Sequence, residues 1–107
     1  MPAAATSMKN ELNQMIGLSG NTSIGHLEVS VGDGGSGFHI ILHDKDGDRA
    51  NRQTVYKLDQ NGREQFSSST LPSPEDNIGQ NYFGSPEVAV PYRLNEILQA
   101  AKELRKS

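Results

Sequence analysis

Residues 25–31 and 38–43 alternate apolar with polar side chains on either side of a glycine-rich stretch, 32–37, and that pattern predicts an antiparallel β-hairpin. With the six loop residues left unpaired, Val31 falls opposite Phe38, Val29 opposite Ile40 and Leu27 opposite Leu42, so one face of the hairpin is wholly apolar. A slip of one residue would turn that whole set to the other side, so the register is strongly specified. The same register sets His26 opposite His43 and Ser30 opposite His39, with Glu28 between them on the polar face.

The remaining elements follow from spacing and turn chemistry. Met8, Leu12, Met15 and Ile16 form one stripe at helical spacing, which predicts a short helix over 7–16 after a disordered 1–6, capped by Thr6 or Ser7 and ended by Gly17. Residues 44–48, with three Asp and a Gly, read as a turn, and 52–58 as a third strand. Asp59 suits the first position of a type I turn and Gly62 the left-handed position that closes a three-residue hairpin loop. That loop leads into a fourth strand with Tyr56 opposite Phe66 and Asp59 opposite Arg63.

From 67 to 87 the pattern dissolves into Ser, Pro, Gly, Asn and Asp, with Pro72, Pro74, Gly79, Gly84 and Pro86 as breakers, and a long loop is expected. Loops of that length inside compact domains are usually functional or disordered. Val88, Val90 and Pro91 then lead into a last helix, on which Leu94, Ile97, Leu98, Ala101 and Leu104 share one face. Lys102, Arg105 and Lys106 suit its negative C-terminal end. The expected architecture is a single α+β domain over 1–107: an N-terminal helix, a four-stranded antiparallel β-meander and a C-terminal helix, arranged as a two-layer sandwich.

The core of such a domain is thin. Leu, Ile, Val and Phe supply 23 of the 107 residues, close to the roughly 20% below which strongly charged chains stay disordered. A net charge of −3 keeps this chain on the folded side of that limit, and the thin core makes self-association an alternative to a monomer. With no Cys there are no disulfides, thiolate nucleophiles or thiolate metal sites, which fits a reducing compartment and a cytoplasmic setting. No apolar run approaches the roughly 20 residues of a membrane span, and acidic and basic residues are dispersed without a phosphate-tracking patch. Neither membrane nor nucleic acid is expected as a partner.

Several motifs invite chemical readings. Gly32, Gly34 and Gly37 have the spacing of a dinucleotide fingerprint, but a strand rather than a helix follows them, so the stretch reads as a flexible hairpin tip. Asp44, Asp46 and Asp48 alternate like calcium ligands, yet Arg49 and Val55 stand where such a loop needs Gly and Glu, and the three carboxylates are expected to stay wet in a turn. His26, Glu28 and His43 are the candidate metal ligands: two opposed imidazoles and a nearby carboxylate could hold zinc or another divalent ion. The alternative is an ordinary solvent-facing sheet face. No nucleophile sits in a recognisable catalytic context, so neither an enzyme nor a cofactor is expected.

Within the long loop, Asn77, Ile78, Gln80, Asn81, Tyr82 and Phe83 form an aromatic-bearing segment of the kind that protein-binding surfaces favour, although Phe83 could instead tuck under the loop and close the core edge. These features together point to a non-catalytic protein-binding module, an inhibitor, immunity-type or adaptor protein, acting through the loop and the sheet face on another protein. The alternatives are a small-ligand or divalent-metal-binding protein using the histidine-bearing face, and a self-assembling structural subunit such as a homodimer.

Overall fold

The computed structural model describes residues 2–46, 49–71 and 87–106. In chain order they form helix α1 (Pro2–Met15), strands β1 (Ser19–Thr22) and β2 (Gly25–Val31), a single 3-10 turn at Asp33–Gly35, strands β3 (Phe38–Asp46), β4 (Arg49–Leu58), β5 (Glu64–Thr70) and β6 (Glu87–Val88), and helix α2 (Leu94–Lys106). The strands lie side by side in chain order in one antiparallel sheet. The fold is therefore α+β with an antiparallel meander, as expected, but with six strands instead of four.

The first hairpin has the register read from its alternation. Val31 pairs with Phe38, Val29 with Ile40, Leu27 with Leu42, Ser30 with His39 and His26 with His43. Leu27, Val29, Phe38, Ile40, Leu42, Tyr56 and Leu58 point inward and join Leu12 and Met15 of α1 and Ile97, Leu98, Ala100 and Ala101 of α2 in one buried cluster. Both helices thus complete a single core, and a surface ion pair, Lys102 to Glu11 at 2.9 Å, joins them outside it. Val31, at the end of the apolar row, is 45% exposed.

Four expectations are corrected. α1 begins at Pro2, not Ser7, and a proline is tolerated in a first helical turn because its missing N–H would have no partner there. β1 carries no apolar alternation. Its ladder to β2 runs from Ser19 opposite Glu28 to Thr22 opposite Gly25, and it is extended by the Val29 N–H donating to the Leu18 carbonyl and the Gly17 N–H donating to the Val29 carbonyl. The long loop does not begin at Ser67. Residues 67–70 belong to β5, where the small hydroxyl side chains fit a close-packed inner face and the Thr54 and Ser69 hydroxyls bond each other at 2.6 Å in the interior. At the loop's other end, Glu87 and Val88 pair with Thr70 and Ser69.

The fourth correction concerns Phe66. The Asp59–Arg63 turn forms as read, with the Asp59 N–H donating to the Arg63 carbonyl at 2.8 Å and the Asp59 carboxylate accepting from the Asn61 and Arg63 N–H groups. A β-bulge then shifts the register, so Leu58 faces Glu64 but Lys57 faces Phe66. Phe66 stands beside Lys57 on the outer face and leaves Tyr56 opposite Ser67. Gly62 closes this turn at φ +86°, and a Cβ there would lie 2.7 Å from the Met8 side chain, so the turn abuts α1.

Candidate functional site

Strand pleating sends every second side chain of the sheet away from the core. Reading across the strands, that outer face carries three rows: Asn21, His26, His43, Gln53 and Thr70; Ser19, Glu28, Ile41, Val55 and Ser68; and Ser30, His39, Lys57 and Phe66. Ile41 and Val55 are half-buried, whereas Phe66 is 50% exposed with the Lys57 ammonium 5.7 Å from its ring centre. Lys57 also approaches Asp33 of the glycine-rich turn at 3.6 Å. His39 occupies the same row, and its Nε2 is shielded from solvent without a hydrogen-bond partner.

At the other end of this face the structure brings the two expected histidines together. The His26 Nδ1 lies 3.2 Å from the Asn21 side-chain carbonyl and its Nε2 lies 3.3 Å from the Ser19 hydroxyl. A carbonyl oxygen only accepts, which places the ring proton on Nδ1 and lets Nε2 accept from Ser19. His43 is held below the ordinary imidazole range, first by burial; Glu28 and Asp44 raise it in part and His26 lowers it further. Glu28 is close enough to be felt by His43 but pairs with Ile41 and Ser19 across the strands. Among the described residues no three His, Cys, Asp or Glu side chains converge as a metal site would require.

A cleft of about 520 Å³ opens beside the histidine pair, lined by Asn21, Ile24, Gly25, His26, His43 and Tyr92. Its wall is held by the tie between the β1–β2 turn and α2: the Ser23 hydroxyl and N–H donate to the Glu103 carboxylate at 2.6 and 2.9 Å. Those two bonds hold the Glu103 carboxyl below its usual range, the side-chain one more strongly. Gly25 is required here because a Cβ would come within 2.5 Å of the His43 carbonyl oxygen.

Asp44 overturns the expectation of a solvated turn. β3 runs on through Asp46, so Asp44 sits on the inner face opposite Arg52, 2% exposed, and receives hydrogen bonds from the Arg52 Nε and Nη2. The two-pronged contact satisfies both carboxylate oxygens, which is what a charge in that position requires. Asp48 and the six candidate partner-binding residues, Asn77, Ile78, Gln80, Asn81, Tyr82 and Phe83, lie outside the described residues.

A second groove, of about 400 Å³, runs between β5 and the segment leading into α2. Tyr56 forms part of its lining, with its hydroxyl donating to the Tyr92 carbonyl, and burial lifts that phenol well above its ordinary range, so it stays protonated. Sequence reasoning missed Phe66 with Lys57, Tyr92 and this groove. The period-two alternation would have found the outer row had the bulge been legible, whereas nothing local marks Tyr92. No protein-family model matches the chain, nor does any curated protein or solved structure.

Proposed function

We propose that this protein is a non-catalytic protein-binding module of the inhibitor, immunity-type or adaptor kind, working in the cytoplasm and presenting the outer face of its sheet to another protein. In this reading the helices form one layer over the inner face and leave the outer face for a partner. The observation that carries it is Phe66, an aromatic side chain half-exposed beside Lys57 on a strand, next to the half-buried Ile41 and Val55. Aromatic anchors framed by polar groups are where protein interfaces concentrate their affinity.

The test compares capture from the host's own extract by the wild type and by a Lys57→Glu, Val55→Lys variant whose circular dichroism is unchanged. A protein held by the wild type and released by the variant is the expected result. Identical capture by both would overturn the reading. The His26–His43 cleft favours a second reading, a small-ligand-binding protein, because it combines a cavity with converging polar groups. That reading requires His26→Ala with His43→Ala to abolish binding of a host metabolite while leaving the melting temperature nearly unchanged.

A further inference from the structure

β6 pairs with Ser69 and Thr70 alone, so among the described residues no strand covers β5 from Glu64 to Ser68 on that side. An uncovered edge offers a row of backbone donors and acceptors, and natural proteins blunt such edges with lysine, proline or a covering element. β5 has neither lysine nor proline. Its bulge lies at the Glu64 end, which leaves the regular run Phe66 to Ser68 adjoining the pair that β6 already makes.

The groove beside this edge has a definite character. Tyr56, Val90 and Leu94 give it an apolar floor, and Glu64 and Glu96 stand on its rim. Both carboxylates line the groove together with Tyr56, and both help burial to hold the proton on its phenol. Each is held in place by its own chain, since Glu64 accepts from the Ser67 hydroxyl at 3.0 Å and Glu96 accepts from the Arg93 N–H at 2.8 Å. Among the described lining residues the two carboxylates outnumber the one guanidinium, that of Arg93. A long aliphatic stem ending in a positive charge matches this combination of apolar floor and acidic rim.

We infer that the open edge of β5 takes an extended segment of a partner protein as an added strand, with a lysine or arginine side chain of that segment lying in the groove between Glu64 and Glu96. Backbone pairing along residues 64–68 supplies the attachment, and the basic side chain supplies the selectivity. The site is separate from the outer face: Lys57 and Val55 do not line it, and the charge it selects is fixed by Glu64 and Glu96. Phe66 adjoins both surfaces, but only the groove depends on Glu64 and Glu96, so their substitution tests it apart from the outer face.

The test is a nuclear magnetic resonance titration of the full chain with two synthetic pentapeptides, acetyl-Thr-Val-Arg-Val-Thr-amide and the same peptide with Glu in place of Arg. Saturable amide shifts confined to residues 64–68 and to Tyr56, with the Arg peptide binding at least tenfold more tightly, are expected. In a Glu64→Gln, Glu96→Gln variant, which keeps both acceptor oxygens, the ratio between the two peptides should fall towards one while the shifts stay on β5. Equal affinity for both peptides in the wild type, shifts located away from β5, or no saturable shift at millimolar peptide would each overturn the proposal.

Discussion

At the scale of single residues, the most consequential contact is the buried pairing of Asp44 with Arg52. Breaking a buried ion pair from one side leaves a charge without its partner, so Arg52→Met should destabilise by about 3–5 kcal/mol. The Asp44→Asn, Arg52→Met double variant should lose markedly less, and urea denaturation of the three proteins checks both statements. His43 carries a pH dependence of defined sign. Its proton affinity is lowered in the folded protein, so the unfolded chain takes up the proton first as pH falls through about 6.5, the ordinary imidazole value. The contribution is therefore fully present above that pH and is lost below it, levelling off once the folded His43 also protonates. Thermal denaturation between pH 5 and 7.5 should show stability falling towards acid, with a shallower slope in His43→Gln; parallel slopes would mean that His43 is not the group responsible.

Among the elements, the β4–β5 hairpin has the most specific requirement. Gly62 combines a left-handed backbone with contact to Met8 and Leu12 of α1. Gly62→Ala should therefore cost about 1–2 kcal/mol from the backbone alone, and more from the displaced helix, a sum that a chemical denaturation midpoint would read. This hairpin also marks where the sequence was legible. The β2–β3 register was readable because Leu27, Val29, Ile40 and Leu42 admit only one apolar face. Beyond Gly62 the order Glu, Gln, Phe, Ser offers no such choice, and a one-residue bulge was enough to put Phe66 on the outer face. β1 escaped notice because a strand held by backbone pairing and by polar contacts to His26 needs no hydrophobic alternation. Asp44 was misread because its partner lies eight residues away, in register only once β3 is carried past His43. Of the candidate site, the opposed His26 and His43 were legible and the cleft beside them was not, since Tyr92 reaches it from a segment almost fifty residues distant.

For the whole molecule, stability rests on a core shared by the sheet and the two helices. Ile40 and Leu98 are both buried in that cluster, one from the middle of the sheet and one from α2. Ile40→Ala and Leu98→Ala should each destabilise by about 2–5 kcal/mol, the usual range for removing a large core side chain, and an unchanged melting temperature in either would contradict the shared core. No helix among the described residues is long and apolar enough to cross a membrane. The chain order of the core has a consequence for synthesis. Each strand of the meander pairs with its neighbour in sequence, so the sheet can assemble as the chain leaves the ribosome, yet α2 is translated after every strand. Until it emerges, Leu27, Ile40, Leu42 and Tyr56 lack part of their cover, and the nascent sheet passes through an interval in which a chaperone, or another unfinished chain, competes with α2 for the same surface.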